Sequence, residues 1–114
     1  LMRPPTSDGW GAVLAWHTLG HLAGSELPSA IAALARPLRA GGWLVLALRI
    51  GDGVRARTEW LGQEVDLEFV LHDPAEVLAA VAGAGLGELE WYRRGPLATR
   101  EETDECLYVL ARRP

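Results

Sequence analysis

The stretch "AALARPLRAGGWLVLAL", residues 32–48, changes its apolar period in the middle. Up to the glycine pair, Leu27, Ile31, Leu34 and Leu38 recur at intervals of four, three and four, which is one stripe of a helix. Beyond it, Trp43 to Ile50 ("WLVLALRI") is nearly continuous in apolar residues. Such a run suits a strand covered on both faces, as in a parallel sheet. The helix is expected from a cap at Ser25 to about Leu38. Pro28 falls in its tolerated first turn, Pro37 distorts its last turn, and Gly41-Gly42 stop it.

Outward from this unit the same alternation continues. Upstream, Gly11 to Trp16 of "GAVLAWHTLGHL" is a short apolar strand that ends abruptly in His17, Thr18, Gly20 and His21. Downstream, Gly51 to Glu64 is polar and glycine-containing. It reads as a loop with a short helical turn around Glu59 to Leu61. Val65 to Leu71 alternates and reads as a short extended piece. Asp73-Pro74-Ala75-Glu76 is a helix start: Asp73 caps, Pro74 takes the first position and Glu76 completes a capping box. That helix continues through Val77, Leu78 and Val81 and ends near Gly83 or Gly85. Gly87 to Arg94 and Glu105 to Arg112 are two strands with no helix between them, hence an antiparallel pair. Strand, helix, strand, helix, strand, strand is an α/β order, with helices packed on a mainly parallel sheet. In such sheets ligands sit at the carboxyl ends of the strands, which here are Ala15 to His21 and Arg49 to Gly53.

Composition narrows the function. The 114 residues make one domain, 1–114, 49% hydrophobic and 23% charged. A net charge of −4 argues against a nucleic-acid backbone or an anionic membrane as partner. No apolar run approaches the ~20 residues of a membrane span. Leu1 to Gly9 has no apolar signal-peptide core, and Cys106 is the single cysteine, so the chain reads as cytoplasmic. All eleven basic residues are arginine.

"GAVLAWHTLGHL", "SELPSAIAALARPLRAGGWLVLALRIGD", "DPAEVLAAVAGAGL" and the closing "ECLYVLARRP" together resemble the C-terminal half of a class I S-adenosylmethionine-dependent methyltransferase. The helix–Gly-Gly–strand unit carries most of the likeness, with Pro37 and Ala40 departing from the family's usual passage into its fifth strand. The resemblance implies strands four to seven of a Rossmann-like seven-stranded sheet, the last two antiparallel. It implies S-adenosylmethionine as cofactor and a small-molecule acceptor. The family grips its cofactor with a glycine-rich turn after the first strand and an acidic residue ending the second. Neither is in this chain, so the expectation is a partial domain that lacks the N-terminal glycine-rich half. "GDGVRA" from Gly51 lacks the third glycine and follows the wrong strand to replace that turn.

By the same resemblance Ala15 and Trp16 touch the cofactor, partly through backbone atoms. The alternative for Trp16 is a core aromatic closing the strand. Methyl transfer from a sulfonium depends chiefly on positioning, and a base is needed only where the acceptor must lose a proton. His21 is the candidate base and His17 the weaker one, with a structural role as the alternative for both. Their i, i+4 spacing suits a metal on a helix, but no glutamate lies between them and His72 is far along the chain, so no metal is expected. Arg49 is the candidate for an acidic substrate, while Arg93-Arg94 reads as a solvated strand end. Ala15-Trp16-His17-Thr18 stands where methyltransferases of base amines carry an Asn/Asp-Pro-Pro-aromatic signature, which also points away from nucleic acid. The contrasting reading is a catalytically inactive half-domain that persists as a homodimer through the exposed edge of its first strand.

Overall fold

The computed structural model describes residues 9–16, 19–20, 22–60, 63–100 and 104–114, of which 54–60, 63–69 and 100 are described by their backbone. Strand β1 is Trp10–Trp16, helix α1 Leu27–Ala35, β2 Leu38–Ile50, β3 Val54–Trp60, β4 Gln63–Val70, α2 Pro74–Gly83, β5 Gly87–Arg94 and β6 Glu105–Arg112. Four strands form the main sheet in the order β1-β2-β6-β5. β1 and β2 are parallel, and β6 runs antiparallel to both β2 and β5. The chain therefore does not end on the sheet's edge: its last strand inserts between β2 and β5.

Both helices lie on one face of the sheet. Val13 and Ala15 of β1, Leu44, Leu46 and Leu48 of β2, and Leu107 and Val109 of β6 pack with Leu27 and Ile31 of α1 and Val77 and Val81 of α2. Each large apolar side chain among them contributes roughly 1.5–3 kcal/mol on burial. Alternation sends the intervening residues to the opposite face. There Leu14 is 63% and Trp16 51% exposed, and among the described residues no helix covers them. β2 is thus covered on one face rather than two.

Helix α1 is shorter than its apolar stripe implies. It ends at Ala35, and Leu38 opens β2 while staying buried. Pro37 is the cause, because its ring and missing N–H cannot continue a helix. Its carbonyl instead accepts from the Trp10 N–H at 2.8 Å. Ser25 does not cap α1 but sits in a 3-10 turn, Gly24–Glu26, that leads into it. There the Ala23 N–H donates to the Glu26 carboxylate at 3.2 Å. The glycine pair has another duty than stopping the helix. The β1–β2 register slips between Trp10↔Leu38 and Ala12↔Trp43, so β2 carries extra residues there, and Gly41 adopts φ +77°. A Cβ on Gly42 would stand 2.9 Å from both the Trp10 and Arg39 carbonyl oxygens.

Within 51–64 the described residues from Val54 to Trp60 and from Gln63 onward are strand rather than loop, while Leu61 and Gly62 lie outside the described residues. Val54–Trp60 and Gln63–Val70 pair antiparallel as a separate two-stranded hairpin, so Glu59 and Trp60 are strand and not a helical turn. Val54, Ala56 and Thr58 alternate with Arg55 and Arg57, but small residues give too little apolar contrast for the period to declare itself. The other two signals stand. Asp73 caps α2, accepting the Glu76 N–H at 3.0 Å, and Gly85 at φ +84° follows the helix's end.

Candidate functional site

The carboxyl ends of β1 and β2 lie side by side, with Ala15 opposite Leu46 and Trp16 opposite Ala47. Ala15 points into the core and is 2% exposed, so only its backbone is available at this edge. Trp16 points to the open face. Its ring meets that of Tyr108, from β6, at 5.4 Å between centroids and 38° between planes. Ala47 lies between these strands and is fully buried on a face that carries no helix, which places it beneath the two rings. Trp16 is therefore an aromatic packed on Tyr108 that stays half-exposed.

Next along the same face, β2, β6 and β5 align Arg49, Cys106 and Arg94 in one row. The Arg94 guanidinium lies 5.7 Å from the Tyr108 ring centre, its Nε donates to the Tyr108 hydroxyl at 3.0 Å, and its Nη2 stands 3.6 Å from Cys106 Sγ. Cys106 is buried beneath it. Arg49 is half-buried, on the same face as Trp16. Arg94 is thus not the solvated strand end that its sequence context implies. Its cross-strand contacts come from the register of the β5–β6 pair, Arg94 opposite Cys106, which the local pattern does not encode.

His17 and His21 lie outside the described residues. Between them, Leu19 and Gly20 are described, and Leu19 is buried at 5% exposure. His72, far from both along the chain, comes close to this segment in space. It is 2% exposed, and its Nε2 lies 2.9 Å from the Leu19 carbonyl oxygen, 53 residues away in the chain. A usable signal is present in the sequence: "LHDP" puts a histidine between an apolar run and a helix cap, hence at the strand-end side of the sheet.

On the helix side a cavity of about 730 Å³ runs between α1 and α2, lined by Gly24, Leu27, Ala32, Glu76, Ala80 and Gly83 among others. Among the described residues no three His, Cys, Asp or Glu side chains converge as a metal site. No helix among them is long and apolar enough to cross a membrane.

This architecture, a mixed sheet with two helices on one face, is a Rossmann-like α/β fold, and it is shared with solved S-adenosylmethionine-dependent methyltransferases. Three structures illustrate the likeness. A methyltransferase from Methanosarcina mazei superimposes with a TM-score of 0.69 at 15% identity, over 93% of this chain and 60% of that one. The glycopeptide N-methyltransferase MtfA, solved with S-adenosylmethionine, gives 0.64 at 13% identity, over 96% and 56%. The cyclase SpnF gives 0.65 at 17% identity, over 100% and 53%. At such identities the likeness is one of fold. The chain spans between half and three-fifths of the length of these three. No family model matches the sequence, and no curated protein matches it.

Proposed function

We propose that this chain forms the C-terminal half of an S-adenosylmethionine-dependent methyltransferase acting on a small molecule. In this reading β1, β2, β5 and β6 are strands four, five, six and seven of a seven-stranded sheet. The supporting observation is β1 itself. It is an apolar parallel strand that, among the described residues, pairs on one side only, with Leu14 63% and Trp16 51% exposed. Folded proteins cover such an edge, and the solved structures of this fold bring additional chain that could do so. Ala15, through its backbone, and Trp16 meet the cofactor, which is held mainly by residues ahead of this stretch. When bound, that cofactor supplies an activated methyl group. The chain's own part is to shape a dry, oriented pocket for an in-line displacement. His21 is the candidate base where the acceptor carries a proton, with His17 the weaker candidate, and Arg49 meets an acidic acceptor. The acidic balance of the chain argues against nucleic acid and membrane, and the expected compartment is the cytoplasm.

A second reading draws on the same edge. Two copies could cover each other's β1, giving a catalytically inactive, self-associating half-domain. Calorimetry with S-adenosylmethionine separates the two. The full gene product is expected to bind at micromolar concentration. The 114-residue chain alone is expected to bind no tighter than ~100 μM, about −5.5 kcal/mol. Absence of binding by the full product overturns the methyltransferase reading, and a discrete dimer by sedimentation then favours the second. Tight binding by the 114 residues alone would show that the glycine-rich grip is not needed.

A further inference from the structure

Leu19 and Gly20, which follow β1, are held from far along the chain. We infer that His72 is a positioning residue that latches these two residues onto the carboxyl edge of the sheet. Three observations carry the inference. First, the His72 backbone is tied through both its polar groups to the end of β2 and the residue that follows it: its N–H donates to the Arg49 carbonyl at 3.1 Å, and its own carbonyl accepts the Gly51 N–H at 3.0 Å. This is a parallel bridge to Ile50, so the ring has a fixed origin. Second, the ring is buried, and its Nε2 faces the Leu19 carbonyl at 2.9 Å. A carbonyl oxygen only accepts, so Nε2 carries the proton and donates it. Third, the adjacent Gly20 carbonyl accepts the Val70 N–H. The successive carbonyls of Leu19 and Gly20 are therefore held by residues 70–72, where the β3–β4 hairpin returns to the sheet.

The Leu19 carbonyl also accepts the Leu22 N–H at 3.2 Å, which closes a turn. His72 thus fixes the point about which that turn folds. Leu19 and Gly20 stand between the two candidate histidines, and Leu19 is three residues beyond Trp16. The functional part of this inference rests on the methyltransferase reading: His72 touches no ligand and acts by holding the segment that does. It also links the hairpin to that segment, so displacing residues 70–72 releases both carbonyls together.

Two variants test the latch in the full gene product. His72→Phe keeps ring volume and removes the donor. His72→Gln places an amide N–H at similar reach. Hydrogen exchange at the Leu22 and Val70 amides should quicken by roughly tenfold or more in His72→Phe, since the Leu19 carbonyl loses its imidazole donor and keeps only the Leu22 N–H. Exchange in β6 should be unchanged, and His72→Gln should restore most of the protection. The dissociation constant for S-adenosylmethionine should rise about tenfold in His72→Phe and recover in His72→Gln, at temperatures where all variants are folded. Wild-type exchange at Leu22 and Val70 in His72→Phe overturns the latch. So does a His72→Gln variant no better than His72→Phe, because the ring then acts by packing alone. If the wild-type protein takes up no S-adenosylmethionine, the methyltransferase reading fails while the exchange result still decides the latch.

Discussion

Replacing Gly42 with alanine tests whether the glycine pair ends a helix or fits one strand against another. A glycine that stopped α1 would do so through a positive φ, which Gly42 does not have. In the structure α1 has already ended at Ala35, and Gly42 is buried where β2 approaches β1. A Cβ there would lie 2.9 Å from the Trp10 oxygen, 2.9 Å from the Arg39 oxygen and 3.3 Å from the Gly11 oxygen. All three neighbours are backbone, so none can swing aside as a side-chain end would. Overpacking of this kind typically costs about 1–3 kcal/mol, and backbone contacts place Gly42→Ala toward the upper end. Urea denaturation reads the loss directly. Hydrogen exchange of the Trp10 amide, which donates to the Pro37 carbonyl, should quicken as the start of β1 is pushed away. Gly83→Ala is the control. It sits in α2, where an added methyl group would meet nothing within 4 Å, and should gain about 0.4–1 kcal/mol from lowered unfolded-state entropy. A Gly42→Ala variant that loses less than about 0.5 kcal/mol and keeps its Trp10 amide protected would refute the close approach of β1.

Two further outcomes follow from the fold. Asp73→Ala removes the acceptor of the Glu76 N–H at the start of α2. It should cost about 1 kcal/mol in chemical denaturation, with Asp73→Asn retaining most of the stability. Leu46→Ala empties a fully buried position in β2, between β1 and β6. It should cost about 2–5 kcal/mol, and a smaller loss would mean that the helices close over the vacancy.

Local chemistry determined much of this chain without help. Asp73-Pro74 starts α2 because a carboxylate and a ring with no N–H solve the helix's first-turn problem within four residues. The bounds of β5 and β6, Gly87–Arg94 and Glu105–Arg112, are those the sequence pattern assigns to two consecutive strands. The edge that carries Ala15, Trp16 and Arg49 follows from the alternation of strand and helix. What local chemistry could not decide is which distant groups meet. The pairing of β6 with β2 joins Trp16 to Tyr108, and the register of β6 with β5 sets Arg94 over Cys106. The end of α1 has no basic residue in its last turn, yet Arg113 reaches the carbonyls of Ala35, Arg36 and Leu38 at 3.4, 3.0 and 2.6 Å. His72 finds the Leu19 carbonyl only because two loops return to the same edge. Helix caps and turns are satisfied by neighbours along the chain, so a sequence displays them. Strand order, room for a Cβ and the partner of a buried imidazole depend on segments that only packing brings together.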